Sequence, residues 1–353
     1  MTDLPHITID GRAIGSAHPP YVIAEVSANH NGNLNAALAL IDVAVEQGAS
    51  AVKIQTYRAD TITLKSNRPE FQITEGLWAG QSLYDLYEQA HTPWDWHPAL
   101  FAHARARGIT MFSSPFDSTA IDLLEDLGAP AYKIASFEAV DLPLIRYAAS
   151  TGKPMIISTG MADDVEIAEA VQAAHDGGCR QLALLHCVSG YPAPAADYNL
   201  RTLSDMITRF GCVTGLSDHT LDSTTAIAAI ALGASIVEKH ITLDRNGGGP
   251  DDSFSLEPGD LAALVAGTRT AWDALGRVDY GRKSSERGNA VFRRSLYFVR
   301  DLEAGEVITP DSVRSVRPGF GAAPKHLDAI LGRRVRVAVQ AETPVQLDQI
   351  EGL

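Results

Sequence analysis

The stretch MIISTGMADDVEIAEAVQAAHDGGCRQLALLHC, Met155–Cys187, contains the unit from which most of the chain is built. Its opening residues, Met155–Thr159, form the short apolar run expected of a strand buried on both faces. Asp163 then offers a carboxylate to the free N–H groups of a new helix, and Glu166, three residues on, completes a capping-box variant. Apolar residues recur at helical spacing through Val165–Gly177, and a second apolar run follows at Leu182–Cys187. A strand, a capped helix and a strand joined by short links make a parallel unit.

The same rhythm extends in both directions. Further β-rich runs lie at Tyr21–Val26, Ala51–Tyr57, Ile109–Ser114, Ala131–Ser136, Val213–Ser217 and Ser235–Thr242, giving eight in all. Helical stretches separate them at Leu34–Gln47, Pro98–Arg107, Thr119–Leu127, Leu142–Ser150, Leu200–Phe210 and Ser223–Leu232, and a last one, Pro258–Leu275, follows the eighth run. Gly108, Gly128, Gly152 and Gly233 stand where helices hand over to strands, and Asp222 opens another helix. Eight repeats ending near residue 275 predict a (β/α)8 TIM barrel over residues 1–275. The competing architecture is a doubly wound open sheet, but no Gly-rich dinucleotide turn follows the first run.

Two segments break the rhythm. Residues 58–94 carry Trp78, Tyr84, Tyr87 and Trp94, which predicts a structured insertion over the C-terminal face of the barrel. Residues 276–290 are polar and read as a linker, and residues 291–353 as a small β-rich domain with a weak echo between 304–308 and 341–345.

Of 353 residues, 45% are hydrophobic and 20% charged, enough for a packed core and against disorder. The formal net charge of −14 argues against a nucleic-acid or anionic-membrane partner. Any anionic substrate must then be held by a local cluster of cations. The cysteines Cys179, Cys187 and Cys212 are too few for a disulfide framework and suggest a reduced, cytoplasmic compartment. The opening Met1–His6 has no leader pattern, and the longest apolar tract, Ala226–Val237, is too short to span a bilayer.

A barrel interior is normally filled by aliphatic side chains, yet each of the eight runs ends in polar residues. They are Glu25, Lys53 with Gln55, Ser113 with Ser114, Lys133 with Ser136, Ser158, His186, Ser217 running into His219, and Glu238 with His240. Buried polar groups cost free energy unless paired, so their convergence on one rim predicts a site. His219 and His240 follow neighbouring strands and could hold Mn, Co, Mg or Zn with open positions; a hydrogen-bonded His–Glu pair is the alternative. Lys53 and Lys133 are candidates for an anion clamp, a Schiff base or buried Lys–Glu pairs, and the neighbouring hydroxyls favour the clamp. Gly247–Asp252 reads as a mobile loop.

At these residues the chain resembles the sialic acid synthase family. Ala24-Glu25, Asn29-His30-Asn31-Gly32, Lys53-Ile54-Gln55-Thr56, Phe112–Asp117, Tyr132–Ser136, Ile157–Met161, Gly215–Thr220, Glu238-Lys239-His240, Gly249-Pro250-Asp251 and Ser255–Pro258 match its motifs in order. Arg317-Pro318-Gly319 extends the likeness into the tail, which resembles the family's antifreeze-like (SAF) domain. Leu83–Tyr87, His91–Trp96 and Ser189–Pro194 are similar to the branch acting on a diacetamido hexose; sibling enzymes making N-acetylneuraminate usually have Asn where Ser189 stands.

The resemblance implies condensation of phosphoenolpyruvate with 2,4-diacetamido-2,4,6-trideoxy-L-altrose, releasing phosphate by C–O cleavage. It implies Glu25, His219 and His240 as catalytic residues, with a divalent metal on the two histidines, Mn²⁺ first and Mg²⁺ or Co²⁺ as substitutes. Lys53, Ser114, Lys133, Ser136, Ser158 and Ser217 would bind phosphoenolpyruvate, and Gln55, Ser189, Tyr191, Glu238, Asp251 and Arg317 the sugar. Arg317 would come from the partner in a domain-swapped homodimer. A legionaminic or N-acetylneuraminic acid synthase, a pyruvate aldolase and a non-catalytic carbohydrate-binding protein are the alternatives.

Overall fold

The structure, a computed structural model, describes residues 5–353. Residues 1–4, part of the stretch read as lacking a leader, lie outside the described residues. The chain divides into two compact units, one running to Gly276 and one from Arg277 to Leu353.

The first unit opens with a hairpin the sequence reading did not anticipate, β1 (His6–Ile9) and β2 (Arg12–Gly15). The eight expected strands follow within a few residues of their predicted bounds: β3 (Tyr21–Glu25), β4 (Ala51–Thr56), β5 (Thr110–Pro115), β6 (Tyr132–Ile134), β7 (Met155–Ser158), β8 (Leu182–Cys187), β9 (Val213–Asp218) and β10 (Ile236–His240). Each pairs in parallel with its neighbour in the chain, and β10 returns to β3, closing the barrel. The capping box at Asp163 and Glu166 is present, and Gly108, Gly128, Gly152 and Gly233 all take the left-handed conformation that ends a helix without a Cβ penalty.

Strand alternation sorts the barrel residues into two layers. Tyr21, Ile23, Phe112, Ile156, Leu185, Val213 and Ile236 face inward at the bottom, where Ile7, Ile9 and Ile14 of the hairpin join them in one apolar cluster. Outward residues such as Val22, Val52, Leu184, Leu216 and Val237 pack against the helices. The inward series continues upward from apolar to polar on most strands, as in Tyr21, Ile23, Glu25 and Ile236, Glu238, His240. The bottom layers thus supply the core, and the top layer is free to carry chemistry.

This alternation corrects two rim assignments: Ser113 pairs with the outward Ile54, which leaves Ser114 as the inward serine of β5, and the second lies on β8. His186 pairs with the outward Leu216, and its Nε2 contacts the Tyr198 carbonyl, whereas Cys187 is level with Ser217. Strand β8 therefore presents Cys187 to the barrel, because a shift of one residue moves a side chain to the opposite face. Ser136 is not on a strand either: β6 stops at Ile134, and Ser136 opens a 3₁₀ turn, Ser136–Glu138.

The insertion contains short helices at Ala59–Ile62 and Leu83–Ala90. Trp78 Nε1 donates to the Pro250 carbonyl at 3.0 Å, and its ring lies 5.6 Å from that of Tyr191. The loop expected to be mobile is tied down. Asp252 accepts from Asn31 Nδ2 at 2.9 Å, from the Gly249 N–H at 2.8 Å and from Thr242 Oγ1 at 2.5 Å.

The second unit holds a two-stranded antiparallel sheet, β11 (Ser295–Phe298) and β12 (Val313–Val316). Its own core includes Leu296, Phe298, Ile308, Ile330, Val335, Val345 and Ile350. Most of its remaining pairing is by isolated bridges such as Leu302↔Val339 and Tyr297↔Pro344. Among the described residues, no helix is long and apolar enough to cross a membrane.

Candidate active site

The upper barrel layer is a buried network of two ammonium groups and two carboxylates. Lys53 Nζ lies 2.7 Å from Glu25 Oε2, 3.6 Å from Glu238 Oε1 and 3.1 Å from Ser114 Oγ. Lys133 Nζ is 3.0 Å from the same Glu238 Oε1, to which Ser217 Oγ also donates at 3.3 Å. All four charged groups are buried. Burial alone would raise the Glu238 carboxyl, but Lys133 and Lys53 override it and hold it at about 2. Glu25 goes the other way: burial pushes its carboxyl up, Lys53 offsets this only in part, and Glu238 adds to the rise. Burial pulls Lys53 down, yet Glu238 and Glu25 together hold it above the usual lysine value. Lys133 is held below that value by burial, which Glu238 does not fully offset. The layer thus contains one firmly ionised carboxylate, one carboxyl able to exchange a proton and two cationic groups.

Beside it stand the two histidines, their ring centroids 5.4 Å apart. His219 Nδ1 lies 2.8 Å from the Val188 carbonyl. A carbonyl only accepts, so Nδ1 carries a proton; burial pulls the ring's pKa down, but Cys187, the Val188 carbonyl and Glu238 hold it above the usual histidine value. His240 is neutral, since burial, His219 and the nearby lysines hold its pKa well below the usual value. Its buried Nδ1 has no hydrogen-bond partner, and Asp251 Oδ2 is 3.8 Å away. No group of three His, Cys, Asp or Glu side chains converges on a metal position among the described residues. Two imidazoles on adjacent strands, with the other positions left open, nevertheless fit a divalent cation that also takes oxygen ligands from a substrate.

An aromatic wall flanks the histidines. The Tyr191 ring is 4.4 Å from His219 and 5.3 Å from Phe254. Toward the first strand, Gln55 Nε2 donates to Glu25 Oε1 at 3.1 Å and to Ser27 Oγ at 3.0 Å, and Ser27 Oγ donates to Asp251 Oδ2 at 2.6 Å. On the opposite side, Ser136 Oγ accepts from the Gly160 N–H at 3.2 Å. A Cβ on Gly160 would lie 2.3 Å from Ser189 Oγ and 2.8 Å from Ser136 Oγ, so glycine there is a packing requirement. Several buried polar atoms have no protein partner: Ser158 Oγ, Ser189 Oγ, Glu138 Oε2, Glu238 Oε2 and His240 Nδ1. Such atoms are normally satisfied, and this concentration marks a cup built for a polar ligand.

The structure therefore brings together Glu25, Lys53, Gln55, Ser114, Lys133, Ser217, His219, Glu238, His240, Asp251 and Tyr191, with Ser136, Ser158 and Ser189 at its edge. Arg317 is an exposed residue of the second unit. Two site residues escaped the sequence reading. Ser27, in the left-handed region at φ 45°, links Gln55 to Asp251. Glu138 closes the 3₁₀ turn that Ser136 opens, and burial raises its carboxyl to about 7. Its position two residues past the rim serine was the one available signal.

The model of the NeuB family matches residues 40–280, and that of the SAF domain residues 293–351. The chain is 41% identical over 335 residues to a pseudaminic acid synthase of Helicobacter pylori, covering 94% of this chain and 98% of that one. It is 35% identical over 343 residues to an N,N'-diacetyllegionaminic acid synthase of Legionella pneumophila, covering 96% of each. The crystal structure of an N-acetylneuraminic acid synthetase from Leptospira borgpetersenii superposes with a TM-score of 0.73 at 31% identity, covering 82% of this chain and 96% of that one.

Proposed function

This chain belongs to the NeuB family and carries a SAF domain, and on that premise we propose that it joins phosphoenolpyruvate to 2,4-diacetamido-2,4,6-trideoxy-L-altrose, giving pseudaminic acid and inorganic phosphate. The observation that carries this reading is the buried cup in which two lysines, unsatisfied hydroxyls and two imidazoles face one space. A dianionic donor finds fixed cations there despite the net charge of −14, since close groups in a low-dielectric cleft outweigh distant, screened carboxylates.

Lys53 and Lys133 hold the phosphate and carboxylate, with Ser114, Ser136, Ser158 and Ser217 as hydroxyl partners. A divalent cation, Mn²⁺ first and Mg²⁺ or Co²⁺ as substitutes, would be held by His219 and His240 and would polarise the sugar aldehyde. The methylene carbon of phosphoenolpyruvate bonds to the aldehyde carbon, whose oxygen takes up a proton. Water adds to the cationic C2 and gives a proton to Glu25, whose raised pKa suits a group that takes and returns protons. The C2–O bond to phosphate then breaks, phosphate leaves with the electron pair, and the C2 hydroxyl loses its proton to become the ketone. Gln55, Ser189, Tyr191, Glu238 and Asp251 contact the sugar.

The same reading assigns Arg317 to the partner's site in a domain-swapped homodimer, within the cytoplasm. Exposed apolar residues in the loops after the barrel strands, Phe137, Val140, Met161, Leu221 and Leu243, support a covered mouth. The test is phosphate release from phosphoenolpyruvate across a panel of sugars. Release fastest with the altrose supports the proposal, and release fastest with the legionaminic or N-acetylneuraminic precursor moves the chain to a sibling activity. Borohydride trapping of a pyruvate adduct would indicate an aldolase, and no release with any sugar a binding protein.

A further inference from the structure

The outer surface of β9 and β10 carries a charged pair that the chemistry above does not use. Lys239 and Asp218 are partners in the parallel register, so their side chains leave the same face of adjacent strands. That face lies between barrel and helices, where Val237 and Leu216 pack two residues earlier on the same strands. Lys239 is 2% exposed and Asp218 1%. The ammonium donates to Asp218 Oδ2 at 3.0 Å, to the Thr220 carbonyl at 2.5 Å and to Thr220 Oγ1 at 3.3 Å. Asp218 Oδ1 in turn accepts from the Thr220 N–H at 2.9 Å. The His219 N–H, between them, donates to the buried Tyr198 hydroxyl at 2.7 Å.

Two charges in an apolar layer cost free energy that well-packed aliphatic residues would not. Valine and leucine fill the equivalent sites one pleat below, so the layer accepts them. The position of the pair in the chain suggests what it does. Asp218 immediately precedes His219, and Lys239 immediately precedes His240. The ion pair therefore ties the backbone beneath one imidazole to the backbone beneath the other. Its contacts on Thr220 also grip the chain beyond the end of β9, where ladder pairing no longer holds it.

We propose that Lys239 and Asp218 are positioning residues that set the separation and aim of His219 and His240 from behind the barrel wall, readying both rings for one divalent cation. The proposal rests on the metal reading of those two histidines. It is tested by titrating metal-free protein with Mn²⁺ by calorimetry and by recording the visible spectrum of the Co²⁺ form. The variants are Lys239→Met/Asp218→Asn, which leaves neither charge alone, Lys239→Arg, which keeps the charge but not the three-acceptor geometry, and His219→Ala. The double variant should bind Mn²⁺ about 10–100-fold more weakly and shift the Co²⁺ bands, as expected when groups that orient metal ligands are lost. Lys239→Arg should fall between it and the parent. Should the double variant not fold, Lys239→Arg decides the matter alone. Mn²⁺ affinity and Co²⁺ bands matching the parent within about twofold, in folded variants, overturn the proposal. If His219→Ala itself binds Mn²⁺ as tightly as the parent, the metal reading fails first.

Discussion

Replacing Glu238 by glutamine removes the one carboxylate that serves both active-site lysines. Lys133 lies 3.0 Å and Lys53 3.6 Å from its Oε1. With its folded pKa at about 2 against a usual 4.5, this carboxyl stabilises the native state by about 3 kcal/mol at 1.36 kcal/mol per pH unit. A depressed acid pKa gives stability that is complete above 4.5 and is lost as pH falls toward 2. Glu238→Gln should therefore unfold about 3 kcal/mol more easily at pH 7, consistent with the ~3–5 kcal/mol seen when one partner of a buried pair is removed. Urea unfolding followed by tryptophan fluorescence measures this directly, and in a thermal scan the midpoint should drop by roughly 4 °C. The gap between variant and parent should close as pH falls through 4.5. Equal stability at pH 7, or a gap that widens in acid, would show that Glu238 is not held ionised by the lysines.

Lys53→Met should weaken phosphoenolpyruvate binding by about 10–150-fold, the worth of a charge-assisted hydrogen bond, read as a rise in KM in the phosphate-release assay. Chelation should abolish phosphate release and Mn²⁺ should restore it, while His240→Ala should not recover at any metal concentration. Gly160→Ala, which drives a methyl into Ser189 and Ser136, should lower affinity for the sugar and destabilise the fold by about 1–3 kcal/mol; unchanged sugar KM would remove Ser189 from the site. Burial holds His97 at about 4, so the unfolded chain takes up a proton first and stability falls between pH 6.5 and 4. His97→Gln should flatten that part of the acid-unfolding profile. Truncation after Leu275 should abolish activity if Arg317 completes the partner's site, and full retention would refute that assignment.

The barrel was legible because its signals are local. Apolar runs, Asp163 with Glu166, and glycines at helix ends depend on neighbours a few residues away, and these placed all eight barrel strands. The rim was legible for a related reason: a lysine, glutamate or histidine at the end of a buried strand has no structural excuse, so position and residue type together marked Glu25, Lys53, Lys133, His219, Glu238 and His240. Glu138 and Ser27 sit in turns, where polar residues are unremarkable, and were missed.

What composition and order could not decide is which face a residue takes and what it meets there. The exchange of His186 for Cys187 turns on the strand's pleat, a matter of one residue. The β1–β2 hairpin is too short to announce itself, and only its apolar contact with the barrel floor explains it. Lys53 and Lys133 looked like free cations for a substrate, yet the folded chain sets Glu25 and Glu238 against them. Residue type and local pattern thus determined that a polar rim would crown an aliphatic barrel. The closure of β10 onto β3 alone decided who faces whom, because the distances between charges separated by up to 213 positions in the chain, as Glu25 and Glu238 are, exist only once the barrel has closed.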